Sequence, residues 1–261
     1  MTGNLPSPAE SERFSWLERK NDDFPYYRGG PVAISGGQWL KIMIAVAIGF
    51  ALLLFPPPFL RGAVSGLVPV ILFFAVPLAV LAQVTPKGWT AIFRPLRGRD
   101  FLWMIAFAIL NIIVAFVMGA VILALTETTS NAGITGLAQQ DAFERAMFFI
   151  RSVPQLFGEE VFSILPFLAL LWLFTKRGMS RKTAVVIASL LVAILFAAAH
   201  LSTYGYNVIQ ALGGVGVARL VLLLPYIMAK NIWVSTGAHI LNDWFSFGMS
   251  ILGGSIAAGA T

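Results

Sequence analysis

Apolar residues in this chain come in long unbroken runs, separated by short polar and basic stretches. At about 20 apolar residues per helical crossing of a bilayer, the runs predict spans over roughly 39–55, 63–83, 101–125, 158–175, 183–203, 208–229 and 231–253. The pattern predicts an all-α, polytopic membrane helix bundle of about seven to eight transmembrane helices. The stretch after Thr203 carries Gly205, Gly213, Gly214 and Gly216, and the turn between Met228 and Trp233 is short. The last two spans are therefore expected to be broken or tilted.

Two segments depart from the apolar pattern. Residues 1–38 are polar and mixed in charge and lack a leading apolar run, so they read as a soluble cytoplasmic tail without a cleavable signal. Pro6, Pro8, Gly29, Gly30 and Pro31 argue against long regular structure there. Residues 136–157 alternate Phe143, Met147, Phe148, Ile150 and Leu156 with Asp141, Glu144, Arg145 and Arg151, the pattern of an amphipathic interfacial helix. That helix is expected to stop near Pro154 and to serve either as a lid or as a surface anchor. Between these segments, residues 39–135 hold the first transmembrane helices, and 158–255 form a second membrane core.

Composition agrees with a bilayer location: 58% of the 261 residues are hydrophobic and only 11% are charged, too few to cover the surface of a soluble domain. There is no cysteine, so disulfide and thiolate chemistry are excluded. The net charge of +6 does not point to nucleic acid, because the basic residues lie in short clusters between apolar runs. With the N-terminus inside, Arg13, Arg19, Lys20, Arg28, Lys41, Lys87, Arg94, Arg97, Arg99, Lys176, Arg177, Arg181, Lys182 and Lys230 all fall on the cytoplasmic side. Arg61, Arg145 and Arg151 fall outside, and Arg219 lies within a span.

The chemistry is concentrated in a few intramembrane polar residues. A charge in hydrocarbon costs at least a few kcal/mol, so Glu159 and Glu160 need water, partners or a role. As helix neighbours they point about 100° apart, so one is expected to face a cavity and the other protein. The two histidines of the chain, His200 and His239, lie in the same apolar half. Antiparallel packing of consecutive spans brings the start of the fourth to the level of the end of the fifth, so Glu159 and His200 can meet. Asp243 follows His239 at i+4 on the same face and is expected to orient its ring. Phe196 stands one turn before His200 and backs it.

Glu-Glu at a helix start, Phe196-x-x-x-His200 and His239-x-x-x-Asp243 together resemble the three motifs of the CPBP intramembrane proteases, the group of CAAX prenyl endopeptidases and bacteriocin-processing or self-immunity proteins. The resemblance covers roughly residues 140–250. It implies a glutamic peptidase acting in a water-accessible cavity of a bacterial inner-membrane protein. In that reading Glu159 is the general base, His200 positions the water or polarises the peptide, and His239 with Asp243 stabilises the oxyanion. The implied partners are the bilayer and a peptide or membrane-protein substrate, with no metal. Zinc on His200, His239 and a carboxylate is the less favoured alternative.

Two positions depart from the family pattern. Asp243 stands where Asn is common, and Ile164 stands where an Arg usually partners the second Glu. Arg219 is the expected replacement partner of Glu160, with Arg151 a second candidate. If Glu160 has no partner, a non-catalytic peptide-binding or immunity-type protein becomes the alternative. A small-solute carrier is a third reading, disfavoured because the polar residues lie almost wholly in the second half instead of in paired repeats.

Overall fold

The structure, a computed structural model, describes residues 9–259, with side chains as far as 253. Pro6 and Pro8 lie outside the described residues. Among the described residues seven long helices follow one another: α1 (Gly36–Leu54), α2 (Leu67–Val84), α3 (Gly98–Leu125), α4 (Ala142–Lys176), α5 (Arg181–Ala199), α6 (Val208–Ala229) and α7 (Ile232–Gly259). The described residues contain no strand. Helices α1 to α6 are long and apolar enough to cross a membrane, and the chain is a multi-pass, all-helical membrane protein.

Local sequence explains where most helices begin. Ser35 and Gln38 form a reciprocal capping box at α1. Asp141, Ser180 and Asn207 each accept a backbone N–H of the first turn of α4, α5 and α6. The α4–α5 turn closes through Gly178 at φ +87°, a left-handed conformation that glycine adopts without cost. In α6 the glycine-rich stretch Ala211–Gly216 winds as a π-helix. Such segments are uncommon and recur at functional sites. Here it directly precedes Arg219.

Helix α4 corrects the sequence reading. Instead of an interfacial helix stopped near Pro154 and a separate span from 158, one helix of 35 residues runs through both Pro154 and Pro166. Inside a helical bundle, neighbouring groups satisfy the backbone positions that proline frees. From Gly158 to Leu168 every residue of α4 is buried, and the helix packs against α1, α2, α5 and α7. Gly158 sits against the ring of Phe73 on α2, and a Cβ there would lie 2.4 Å from Phe73 Cδ1. Only glycine permits that approach, which fixes the turn bearing Glu159 and Glu160 against α2.

The described part of the tail does not stand off in solvent. Phe24, Tyr26 and Tyr27 are buried, and Phe24 packs edge-on to Phe167 of α4. Glu18 accepts two hydrogen bonds from Arg181 of α5 (2.8 and 2.6 Å) and one from Lys230 at the α6–α7 corner (2.7 Å). Asp23 accepts from the same Arg181, and Arg19 pairs with Asp100 at the start of α3. Arg94 of the α2–α3 loop pairs with Asp22 and binds the Asn231 side chain through its backbone. The tail therefore straps one end of the bundle, and the basic loops expected on one side of the membrane do share one end. Its short polar side chains could not reveal this, because their partners lie more than 70 positions away in the chain.

Burial pushes the Glu18 carboxyl up, but hydrogen bonds from Arg181 and the charges of Lys230 and Arg181 outweigh it and hold the group at about 2, against an ordinary 4.5. A depressed carboxylate contributes stability in full above its unfolded value, and that contribution is lost as pH falls from 4.5 toward 2. Thermal unfolding in detergent should thus show a drop in stability over this range. Glu18→Gln should remove that component of the pH dependence and, by stranding Lys230 and part of Arg181, cost about 3–5 kcal/mol at neutral pH.

Candidate active site

The two adjacent glutamates of α4 have opposite environments. Glu160 is 0% exposed, whereas Glu159 is 9% exposed and lines a cavity of about 640 Å³. Arg219 of α6 grips Glu160 through two parallel hydrogen bonds, Nη1 to Oε1 at 2.7 Å and Nη2 to Oε2 at 3.1 Å. This bidentate geometry is the strong form of a carboxylate–guanidinium pair. Arg219 thus meets Glu160 where the family motif has an Arg four residues on, while Ile164 itself is buried among apolar side chains. Arg151 is not that partner and lies against Gly66.

His239 of α7 closes the same cluster. Its Nδ1 lies 2.9 Å from Glu160 Oε1; a carboxylate only accepts, so Nδ1 carries the proton and donates. The group that orients this ring is therefore Glu160 and not Asp243, which corrects the sequence expectation. Asp243 Oδ1 stands 3.7 Å from His239 Nε2, and Glu159 Oε2 stands 3.8 Å from that same nitrogen. Both separations exceed a direct hydrogen bond and lie within ion-pair range. One imidazole nitrogen is thus flanked by two carboxylates at the cavity wall.

His200 caps α5, and its Nδ1 lies 2.8 Å from the Phe196 carbonyl oxygen. A carbonyl can only accept, so Nδ1 donates and Nε2 is the ring's uncommitted nitrogen. Phe196 is the hub: its ring centroid lies 4.5 Å from His200 and 6.4 Å from His239, and the Arg219 guanidinium sits 5.2 Å above it. The structure accordingly brings Glu159, Glu160, Phe196, His200, Arg219, His239 and Asp243 to one place. Gln155, a turn before Glu159, is within 3.4 Å of its Oε1.

The cavity is polar at this end and apolar toward α3, where Ile112, Phe116, Ile122 and Leu123 line it. Thr128 to Asn131 and Tyr204 border it at the end opposite the tail. There the α3–α4 loop docks on the α5–α6 loop: Thr129 N–H donates to Gln210 Oε1 and Gln210 Nε2 donates back to the Thr129 carbonyl. Asn131 Nδ2 reaches the Tyr204 hydroxyl. Sequence reasoning also missed Asn111 of α3 and Asn242 of α7, which line the cavity and are bonded to each other. A polar residue in the middle of an apolar run such as IAFAILNIIVAF was the available signal. Among the described residues no three His, Asp or Glu side chains are grouped to hold a metal ion.

An all-helical membrane bundle thus encloses a glutamate–histidine cluster at the wall of one cavity. Residues 142–245 match the family model described as Type II CAAX prenyl endopeptidase Rce1-like, so this part of the chain is CAAX-protease-like at the family level, in agreement with the motifs. Helices α1 to α3 lie outside the matched segment. No curated protein and no solved structure matches the chain.

Loss of Arg219 would leave the Glu160 charge buried and uncompensated, a change that costs about 3–5 kcal/mol. Arg219→Gln should therefore lower the melting temperature in detergent and release His239 from its fixed orientation. An Arg219→Gln protein that melts like the wild type would show that the pair does not hold the site together.

Proposed function

We propose that the protein is an intramembrane endopeptidase that hydrolyses a peptide bond near the tail of a membrane-associated protein or peptide, with Glu159 activating water. The observation that carries this reading is that Glu159 Oε2 and Asp243 Oδ1 both approach His239 Nε2, within 3.8 and 3.7 Å, at the wall of one cavity that His200 also lines. The alternative of a non-catalytic peptide-binding member rested on an unpartnered Glu160, and Arg219 removes that ground.

In this mechanism Glu159 takes a proton from a water molecule as its oxygen attacks the scissile carbonyl carbon, forming the C–O bond of a tetrahedral oxyanion. His200, held by Phe196, accepts a second water hydrogen at Nε2 and aims the oxygen. His239 has its Nδ1–H committed to Glu160, so it donates to the oxyanion from Nε2 when the ring is an imidazolium. Three carboxylates surround that ring and stabilise the charged form. Collapse of the oxyanion breaks the C–N bond, and Glu159 returns its proton to the departing amine. Glu160 and Arg219 keep α4, α6 and α7 in register and do not touch the substrate. The apolar wall toward α3 suits the hydrophobic part of a membrane-anchored substrate, in keeping with the prenyl endopeptidase description of the matched family.

Lysine and arginine enrichment at the tail end favours a cytoplasmic N-terminus. The cavity border at Thr128 to Asn131 and Tyr204 then faces the opposite side. Because the chain has no cysteine, single substitutions at the exposed Trp16 and Ser130 can report sidedness. In intact cells a membrane-impermeant maleimide should label Ser130→Cys and not Trp16→Cys, and the reverse labelling would invert the orientation.

For the reaction itself, the purified protein should cleave quenched-fluorescent peptides, tested with and without a prenyl group. Glu159→Gln and His239→Ala should each lower kcat by about 10²- to 10⁴-fold while remaining folded. Chelators should leave the rate unchanged. Undiminished cleavage by either variant would defeat the assignment of these roles.

A further inference from the structure

Asn111 is buried in the middle of α3, with no charged neighbour in sequence to explain it. Its Nδ2 donates to Asn242 Oδ1 on α7 at 2.9 Å, and Asn242 Nδ2 donates to Asp243 Oδ1 at 2.9 Å. The direction of this chain follows from chemistry. A carboxylate accepts only, so Asn242 must turn its NH₂ toward Asp243; its carbonyl then faces Asn111, which must in turn present its own NH₂. The consequence is visible at the far end, where Asn111 Oδ1 is buried without a hydrogen-bond partner among the described residues. Half of this buried amide is therefore unsatisfied, which costs stability. What Asn111 provides is the donor.

We propose that Asn111 is a positioning residue of the active site, acting through a one-way amide relay, Asn111 to Asn242 to Asp243, that holds the Asp243 carboxylate beside His239 Nε2. This rests on the peptidase reading for its catalytic meaning, but the relay itself is a statement about hydrogen-bond direction that stability can test. It extends the site to α3, outside the family-matched segment. It also accounts for the presence of an acid at position 243: the acid sets the direction, and Asn111 is its counterpart on α3.

The test is a polarity swap. Asn111→Asp alone, when its carboxyl is ionised, places an acceptor opposite the Asn242 carbonyl, so at a pH where it is charged either that contact or the Asn242–Asp243 bond fails. The expected result is a melting temperature in detergent lower by about 5 °C. The double variant Asn111→Asp with Asp243→Asn reverses both relay bonds, which then run from position 243 through Asn242 to position 111, so it should recover part of that loss. Additive effects of the two substitutions would overturn the relay. If Asn111→Asp gives no folded protein, recovery of folded protein in the double variant makes the same point, and failure to recover it counts against the proposal.

Catalysis provides the second readout. Asn111→Ala should lower kcat about tenfold with KM changed less than twofold, since Asn111 acts on Asp243 and not on substrate. A change confined to KM would make it a binding residue and overturn the positioning role. A wild-type protein that cleaves no peptide, with the stability coupling intact, defeats the peptidase reading and leaves the relay standing.

Discussion

The buried pair between Glu160 and Arg219 is the constraint on which the rest of the site depends. Two ions taken fully out of water lose several kcal/mol of solvation each, and only close, multiply hydrogen-bonded geometry repays it. The pair meets that requirement with two parallel bonds, and Glu160 Oε1 also receives His239. Because the three residues come from α4, α6 and α7, satisfying one carboxylate fixes the mutual position of three helices. A small shift of any of them would strand a charge in the core. The ion pair is thus weak evidence for net stability, but it is a strict condition on geometry.

A second polar cluster performs the same kind of work at the other end of the bundle. Glu18 and Asp23 in the tail hold Arg181 of α5 and, through Lys230, the α6–α7 corner. Asn231, at the start of α7, accepts from the Arg94 backbone and from Trp233 N–H. Helix α7 is therefore pinned at its first residues by tail and loop, and again about two turns later by Glu160 at His239. An imidazole placed between two such anchors has little freedom, which is the preorganisation that positioned acid–base and oxyanion groups need.

What could be read from the sequence divides along the range of the interactions. The helices were legible because a run of apolar residues is a local signal, and the separate environments of Glu159 and Glu160 followed from the 100° step between helix neighbours. The convergence on one cavity was legible through antiparallel packing of short-looped spans. The continuity of α4 through Pro154 was not, since the cost of an interior proline is decided by neighbours that supply the freed hydrogen bonds. Nor was the docking of the tail, whose partners come from the α2–α3 loop, α5 and the α6–α7 corner. The orienting partner of His239 was misjudged for a related reason: i+4 spacing brings Asp243 near the ring, but the shorter contact at Nδ1 comes from Glu160, 79 positions away in the chain. Spacing within one helix shows what can meet, and tertiary packing decides what does.

The role left to Asp243 follows from that exchange. With Nδ1 occupied by Glu160, the second carboxylate of α7 faces the other side of the ring, together with Glu159. Two anions drawn toward one nitrogen repel each other unless each is held from behind. Gln155 approaches Glu159 from within α4, and Asn242 donates to Asp243 from within α7. Each carboxylate therefore has an amide on one side and the imidazole on the other, Glu159 through its two oxygens and Asp243 through Oδ1. That arrangement separates the two acids by function: one is carried on α4, where Gly158 and Phe73 fix its turn, and the other is carried on α7 at the end of an amide chain that begins on α3. A site assembled this way lies between two walls that no single helix controls, and α3, which contributes no motif residue, reaches it through one buried asparagine.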